Sequence, residues 1–117
     1  AIVELGANDA LRGVDPATTR ANLDAIVAKL KAKDVKVLIA GMYAPPNWGK
    51  DYETAFRRLY PDLADKHGVP LYPFFLDGVA AERRLNQPDG IHPNEAGVEV
   101  IVDRILPSVV RLLGKEE

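Results

Sequence analysis

A chain of 117 residues with 47% apolar content carries enough material for one globular core and no more. Its 15 basic residues stand against 17 acidic ones with no basic run among them, which argues against nucleic acid as a partner. Cysteine is absent, excluding disulfides, thiolate nucleophiles and cysteine-bound metals, and no stretch approaches the ~20 consecutive apolar residues of a membrane span.

The chain opens directly in an apolar run, Ala1 to Leu5, which reads as a strand. Termini are usually exposed unless an element ties them down, so this opening leads us to expect a preceding segment. The loop "GANDALRG", Gly6 to Gly13, follows. Asp15 then suits an N-cap and Pro16 the first helical position, and Leu23, Ile26, Val27 and Leu30 recur at helical spacing. A second strand spans Val35 to Met42, and the loop "YAPPNWGKD", Tyr43 to Asp51, leaves it. The next helical pattern runs from Asp51 to His67, with Tyr52, Phe56, Leu59 and Leu63 apolar. Pro61 is expected to break or kink this helix, Gly68 to end it, and His67 to serve structurally at its C-terminus. A third strand, Val69 to Phe75, gives way to a long loop from Leu76 to Pro93. The last helix, Asn94 to Leu113, is expected to bury Val98, Ile101, Val102, Ile105 and Val109 and to kink at Pro107.

Three strands alternating with three amphipathic helices predict an α/β fold with a parallel sheet, its near-continuous apolar strands covered on both faces. If the strands are neighbours in order, right-handed crossovers place the first two connecting helices on one face, and the last helix alone must cover the other. One helix ~10 Å across covers about two strands spaced 4.7–4.9 Å apart, so apolar surface would stay exposed. A further βα unit upstream would supply the missing cover. The chain without it is expected to expose apolar surface or to self-associate.

Ligands of open α/β sheets bind beyond the carboxyl ends of the strands, and the chemistry-bearing residues all lie in those loops. Asp89 and His92 form an Asp-x-x-His pair across Gly90, in which a carboxylate can fix one ring nitrogen while the other takes a proton. The same residues also suit a plain capped turn leading into the last helix. In "GAND", Gly6 permits close backbone approach, and the Asn8 amide is a donor suited to developing negative charge on an oxygen. An ordinary turn with local Asn8 and Asp9 bonds is the alternative. Tyr43, Pro45, Pro46 and Trp48, with Leu76, Val79 and Leu85 from the long loop, could line an apolar acyl or aryl groove, although Trp48 could equally anchor its own loop.

Taken together, "GAND" after the first strand and "DGIH" before the last helix resemble two blocks of the SGNH, or GDSL, hydrolase family. The resemblance covers essentially the whole chain, including "HPNEAG" at the start of the last helix, and lies nearest the small bacterial arylesterase, thioesterase I and lysophospholipase type. It implies a three-layer, flavodoxin-like parallel sheet and serine-dependent hydrolysis of small esters or thioesters without a cofactor or metal. His92 would be the general base, Asp89 its orienting partner, and Asn8 an oxyanion donor, with Gly6 in the same block. Substrate contacts would fall to Tyr43, Pro45, Trp48 and Val79.

One departure is large. The family's nucleophilic serine belongs to an N-terminal "GDSL"-like block, and a second block gives a glycine amide to the oxyanion hole; this sequence has neither. Its sole serine, Ser108, lies inside the last helical pattern. In a sheet of order 2-1-3-4-5, the present runs would be strands three to five. We therefore expect residues 1–117 to be the C-terminal part of a single hydrolase domain, nearly inactive without an upstream segment carrying the serine. Two other classes stay open: a non-catalytic flavodoxin-like binding module, and a metal-dependent hydrolase using Asp9, Asp89 and His92. The resemblance permits a periplasmic or secreted enzyme, and the compartment is left open.

Overall fold

The computed structural model describes residues 1–114. Its elements are β1 (Ile2–Val3), α1 (Ala7–Leu11), α2 (Pro16–Ala32), β2 (Leu38–Ala40), a 3-10 turn (Pro46–Trp48), α3 (Lys50–His67), β3 (Leu71–Tyr72), a second 3-10 turn (Arg83–Leu85) and α4 (Glu95–Leu112). The strands form one parallel sheet of order β1-β2-β3, with Ile2 beside Leu38 and Ile39 beside Leu71. Two compact units divide the chain, a first comprising Ala1–Phe74 and a second beginning at Phe75. Among the described residues no helix is long and apolar enough to cross a membrane.

All three strands are shorter than their apolar runs. Pro70 and Pro73 flank β3 and have no N–H to donate, so pairing extends beyond it only through carbonyls, from Ile39 N–H to Pro70 and from Gly41 N–H to Tyr72. Burial on both faces holds for the central strand alone, where Leu38, Ile39 and Ala40 are all buried. In β1 the side chains alternate: Val3 is buried while Ile2, on the opposite face, is 48% exposed.

In the first unit, α2 and α3 pack together, with Leu23 and Val27 of α2 and Phe56, Leu59, Tyr60 and Leu63 of α3 buried. The cap on α2 is the expected one, Asp15 Oδ1 accepting from Ala17 N–H at 3.0 Å. Polar pairs join the outer faces, Arg20 to Asp62 at 2.9 Å and His67 Nε2 to Asp24 at 2.6 Å. Pro61 does not break α3. Pro61 and Arg57, the residue whose carbonyl loses its helical partner, are both exposed, so water can satisfy that carbonyl. Gly68, in the left-handed region at φ 63°, terminates the helix as expected.

In the second unit, α4 likewise runs unbroken through an exposed Pro107. Its buried stripe is narrower than expected: Ile101 and Ile105 are buried, whereas Val98, Val102 and Leu106 are about half exposed. These three recur every fourth residue and so make a second apolar stripe along the helix, open to solvent.

Candidate active site

The segment between the second 3-10 turn and α4 is a closed loop. Asn86 and Pro93 pair as an antiparallel bridge, and Gln87 N–H donates to His92 O at 2.7 Å. Inside the loop Gly90 N–H donates to Gln87 O at 2.9 Å, with Gly90 at φ 75°, a conformation glycine adopts without strain. Asn94 fastens the exit: its Oδ1 caps α4 through Gly97 N–H at 2.9 Å, and its Nδ2 donates to Arg84 O at 2.9 Å. Gly97 is needed there, because a Cβ would lie 2.1 Å from Leu85 O.

Within this frame Asp89 uses its two oxygens differently. Oδ1 accepts from the backbone N–H groups of Ile91 at 3.0 Å and His92 at 3.1 Å, while Oδ2 lies 2.6 Å from His92 Nδ1. The His92 ring bond first, and the two amides second, hold the Asp89 carboxyl down at about 2. It is therefore ionised at neutral pH and can only accept, so the hydrogen sits on His92 Nδ1. That tautomer leaves Nε2 with its lone pair, and among the described residues Nε2 has no hydrogen-bond partner. The capped turn and the carboxylate–imidazole pair are thus one arrangement.

Gly6 and Asn8 belong to the first unit. The expected loop after β1 is instead a one-turn helix, α1, with Gly6 at its N-cap in a conformation of φ 118°. A Cβ at Gly6 would also stand 2.2 Å from the Tyr60 hydroxyl. Asn8 lies on the exposed side of α1, and among the described residues its side-chain amide makes no hydrogen bond. Asp9 is engaged differently: its carboxylate accepts from the buried Thr19 hydroxyl at 2.8 Å.

Trp48, Tyr52, Phe56 and Tyr60 form an aromatic ladder with successive ring centroids 6.3, 6.2 and 5.6 Å apart. Three of the four rings carry a donor, and each donor reaches a backbone carbonyl of segment 5–14. Trp48 Nε1 bonds Ala10 O at 2.7 Å, Tyr52 Oη bonds Val14 O at 2.5 Å, and Tyr60 Oη bonds Leu5 O at 2.8 Å. Burial, with the nearby charges of Glu4 and Asp9, pushes the Tyr60 hydroxyl well above the ordinary tyrosine value, which keeps it a donor. The ladder was readable as an aromatic at every fourth position from 48 to 60, yet nothing local names its target.

The four expected substrate contacts separate. Tyr43 is exposed at the carboxyl end of β2, stacked on Phe74 at 4.1 Å, with the Arg57 guanidinium 4.0 Å from its ring centre. Pro45 is half-buried just before the 3-10 turn. Trp48 is tied down by its indole bond and by packing against Gly13, although its ring stays partly exposed. Val79 is not available to a ligand: it is completely buried, packed with Leu85 and Ile101 in the core of the second unit. Ser108 lies within α4, with Arg111 donating to its hydroxyl at 3.3 Å. Among the described residues no three of His, Asp or Glu gather as a metal site.

Comparison with known proteins identifies the family. Residues 1–100 match the model of the GDSL-like lipase/acylhydrolase family. The chain is 40% identical to esterase TesA of Pseudomonas aeruginosa over 112 residues, 96% of this chain and 56% of that protein. It is 41% identical over 102 residues to thioesterase 1/protease 1/lysophospholipase L1 of Escherichia coli, covering 87% of this chain and 49% of that one. Among solved structures, the psychrotrophic esterase EstA from Pseudoalteromonas, inhibited by monoethylphosphonate, superposes with a TM-score of 0.90 at 32% identity, over 97% of this chain and 62% of that one. The chain thus spans about half the length of the curated relatives it matches. With its sheet, its loops and a match over residues 1–100, the chain belongs to the GDSL-like lipase/acylhydrolase family of SGNH hydrolases.

Proposed function

We propose that residues 1–117 are the C-terminal part of a single hydrolase domain that cleaves small carboxylic esters or thioesters, of the aryl, short-acyl or lysophospholipid type. The observation that carries this reading is the His92 ring, fixed through Nδ1 by an ionised Asp89 and free at Nε2. A serine upstream of Ala1 attacks the substrate carbonyl as His92 Nε2 takes its proton. The Asn8 amide donates to the tetrahedral oxyanion. The imidazolium, stabilised by Asp89, then protonates the leaving alcohol or thiol, and the cycle repeats with water as nucleophile. Tyr43 and Pro45 offer apolar surface to the acyl or aryl part. In the relatives' share of length outside this chain there is room for the serine. The exposed apolar side chains Ile2 and Leu5, and the open stripe of Val98, Val102 and Leu106, are surface that such a segment would cover.

The test is hydrolysis of p-nitrophenyl acetate and butyrate by the full-length protein. Activity should survive chelation, and Asn8→Ala should lower kcat by about 10²–10³-fold with a smaller change in KM. Activity abolished by chelation would favour a metal-dependent hydrolase instead.

A further inference from the structure

Segment 5–14 is gripped far more firmly than a one-turn helix can hold itself. Beyond its own short backbone bonds, it is tied by Tyr60 at Leu5, Trp48 at Ala10 and Tyr52 at Val14. These ties fall at its start, middle and end. Thr19 of α2 adds a fourth tie, through the Asp9 carboxylate. Phe56 has no donor and acts as the spacer, parallel to Tyr52 within 9° and edge-on to Tyr60. Glycines admit two of the rings: a side chain at Gly6 would strike the Tyr60 hydroxyl, and one at Gly13 would meet the Trp48 ring at 3.0 Å. Within this fixed backbone two polar side chains, Asn8 and Arg12, are exposed and unbonded among the described residues, and Asn8 is the one to which the oxyanion role is proposed.

A rigid backbone carrying an unspent donor is what preorganised stabilisation of charge requires, since a donor that must reorient loses much of its effect. We infer that the Trp48–Tyr52–Phe56–Tyr60 ladder is a positioning device for Asn8, in which the two tyrosine hydroxyls and the indole N–H set the place of the oxyanion donor. The inference rests on the proposed role of Asn8 and extends it to three residues that act through the backbone of segment 5–14. Trp48 thereby changes part, from groove lining to clamp.

Tyr60→Phe and Tyr52→Phe keep the rings and remove the hydroxyls. In the full-length protein, with p-nitrophenyl butyrate, each should lower kcat by roughly 10- to 100-fold and leave KM within about two-fold, the scale of a sub-ångström to 1 Å misplacement. A purely structural role would not produce that split at equal folded fraction, which circular dichroism and thermal unfolding establish. The double variants with Asn8→Ala decide the matter: once the amide is gone, each Tyr→Phe change should cost less than about two-fold more in kcat. If Asn8→Ala itself leaves kcat unaltered, the proposed oxyanion role fails and the inference falls with it. If Asn8→Ala lowers kcat as expected, but both Tyr→Phe changes are silent or equally costly with and without Asn8, the oxyanion role stands and the ladder's positioning role is overturned.

Discussion

His92→Ala in the full-length protein should lower kcat for p-nitrophenyl butyrate by about 10⁴–10⁶-fold while KM changes little, the scale seen when a triad base is removed. The reason is local. His92 Nδ1 is committed to Asp89, and Nε2 alone is free to take the proton of the attacking hydroxyl. Alanine leaves the loop closed, because the backbone bonds of the turn remain: His92 N–H to Asp89 Oδ1, and His92 O to Gln87 N–H. The loss should therefore appear in chemistry and not in the fold, so far-UV circular dichroism should match that of the unaltered protein. A rate within ten-fold of the unaltered protein would remove His92 from the mechanism.

Asp89→Asn should cost about 10⁴-fold in kcat through a different route. An ionised Asp89 can only accept and so keeps the hydrogen on Nδ1; an amide can also donate, which permits the opposite tautomer and puts the hydrogen on Nε2. The same substitution has a stability signature. Folding lowers the Asp89 carboxyl to about 2, below the ~3.9 of an unfolded aspartate, so the native state favours the ionised form. Its contribution is fully present above about pH 4 and is lost as the pH falls through about 2. The stability difference between the unaltered protein and Asp89→Asn should thus shrink as the pH falls from about 4 to about 2. Urea unfolding at several pH values measures it, and a difference that grew on acidification would contradict the arrangement at the turn.

What the sequence disclosed was mostly what short-range chemistry decides. Asp15 and Gly68 announce helix ends through local chemistry and act as read, whereas Asn94, read as the first residue of the last helix, is its N-cap. Asp89 and His92 were legible for the same reason, since the pair is closed across one glycine turn. The features that were not legible depend on distant partners. The apolar positions of α4 include 98, 100, 101, 102, 105, 106, 109, 110 and 112, too broad a pattern to say which stripe is buried. Val79 read as a loop residue free to meet a ligand, yet Leu85 and Ile101 enclose it. The prolines at 70 and 73 shortened β3 in a way the hydrophobic pattern alone conceals. Tyr60, absent from the expected apolar face of α3, proves to be the residue that fixes the start of segment 5–14, with its partner 55 positions away.

On the proposed function, residues 1–117 hold the base and its carboxylate while the nucleophile lies elsewhere in the same protein. Labelling of the full-length protein with a fluorophosphonate, followed by peptide mapping, tests it most directly. A single adduct should form on a serine upstream of Ala1, together with loss of esterase activity, and much more slowly in His92→Ala. An adduct on Ser108, or full esterase activity in a protein that takes no adduct, would contradict it.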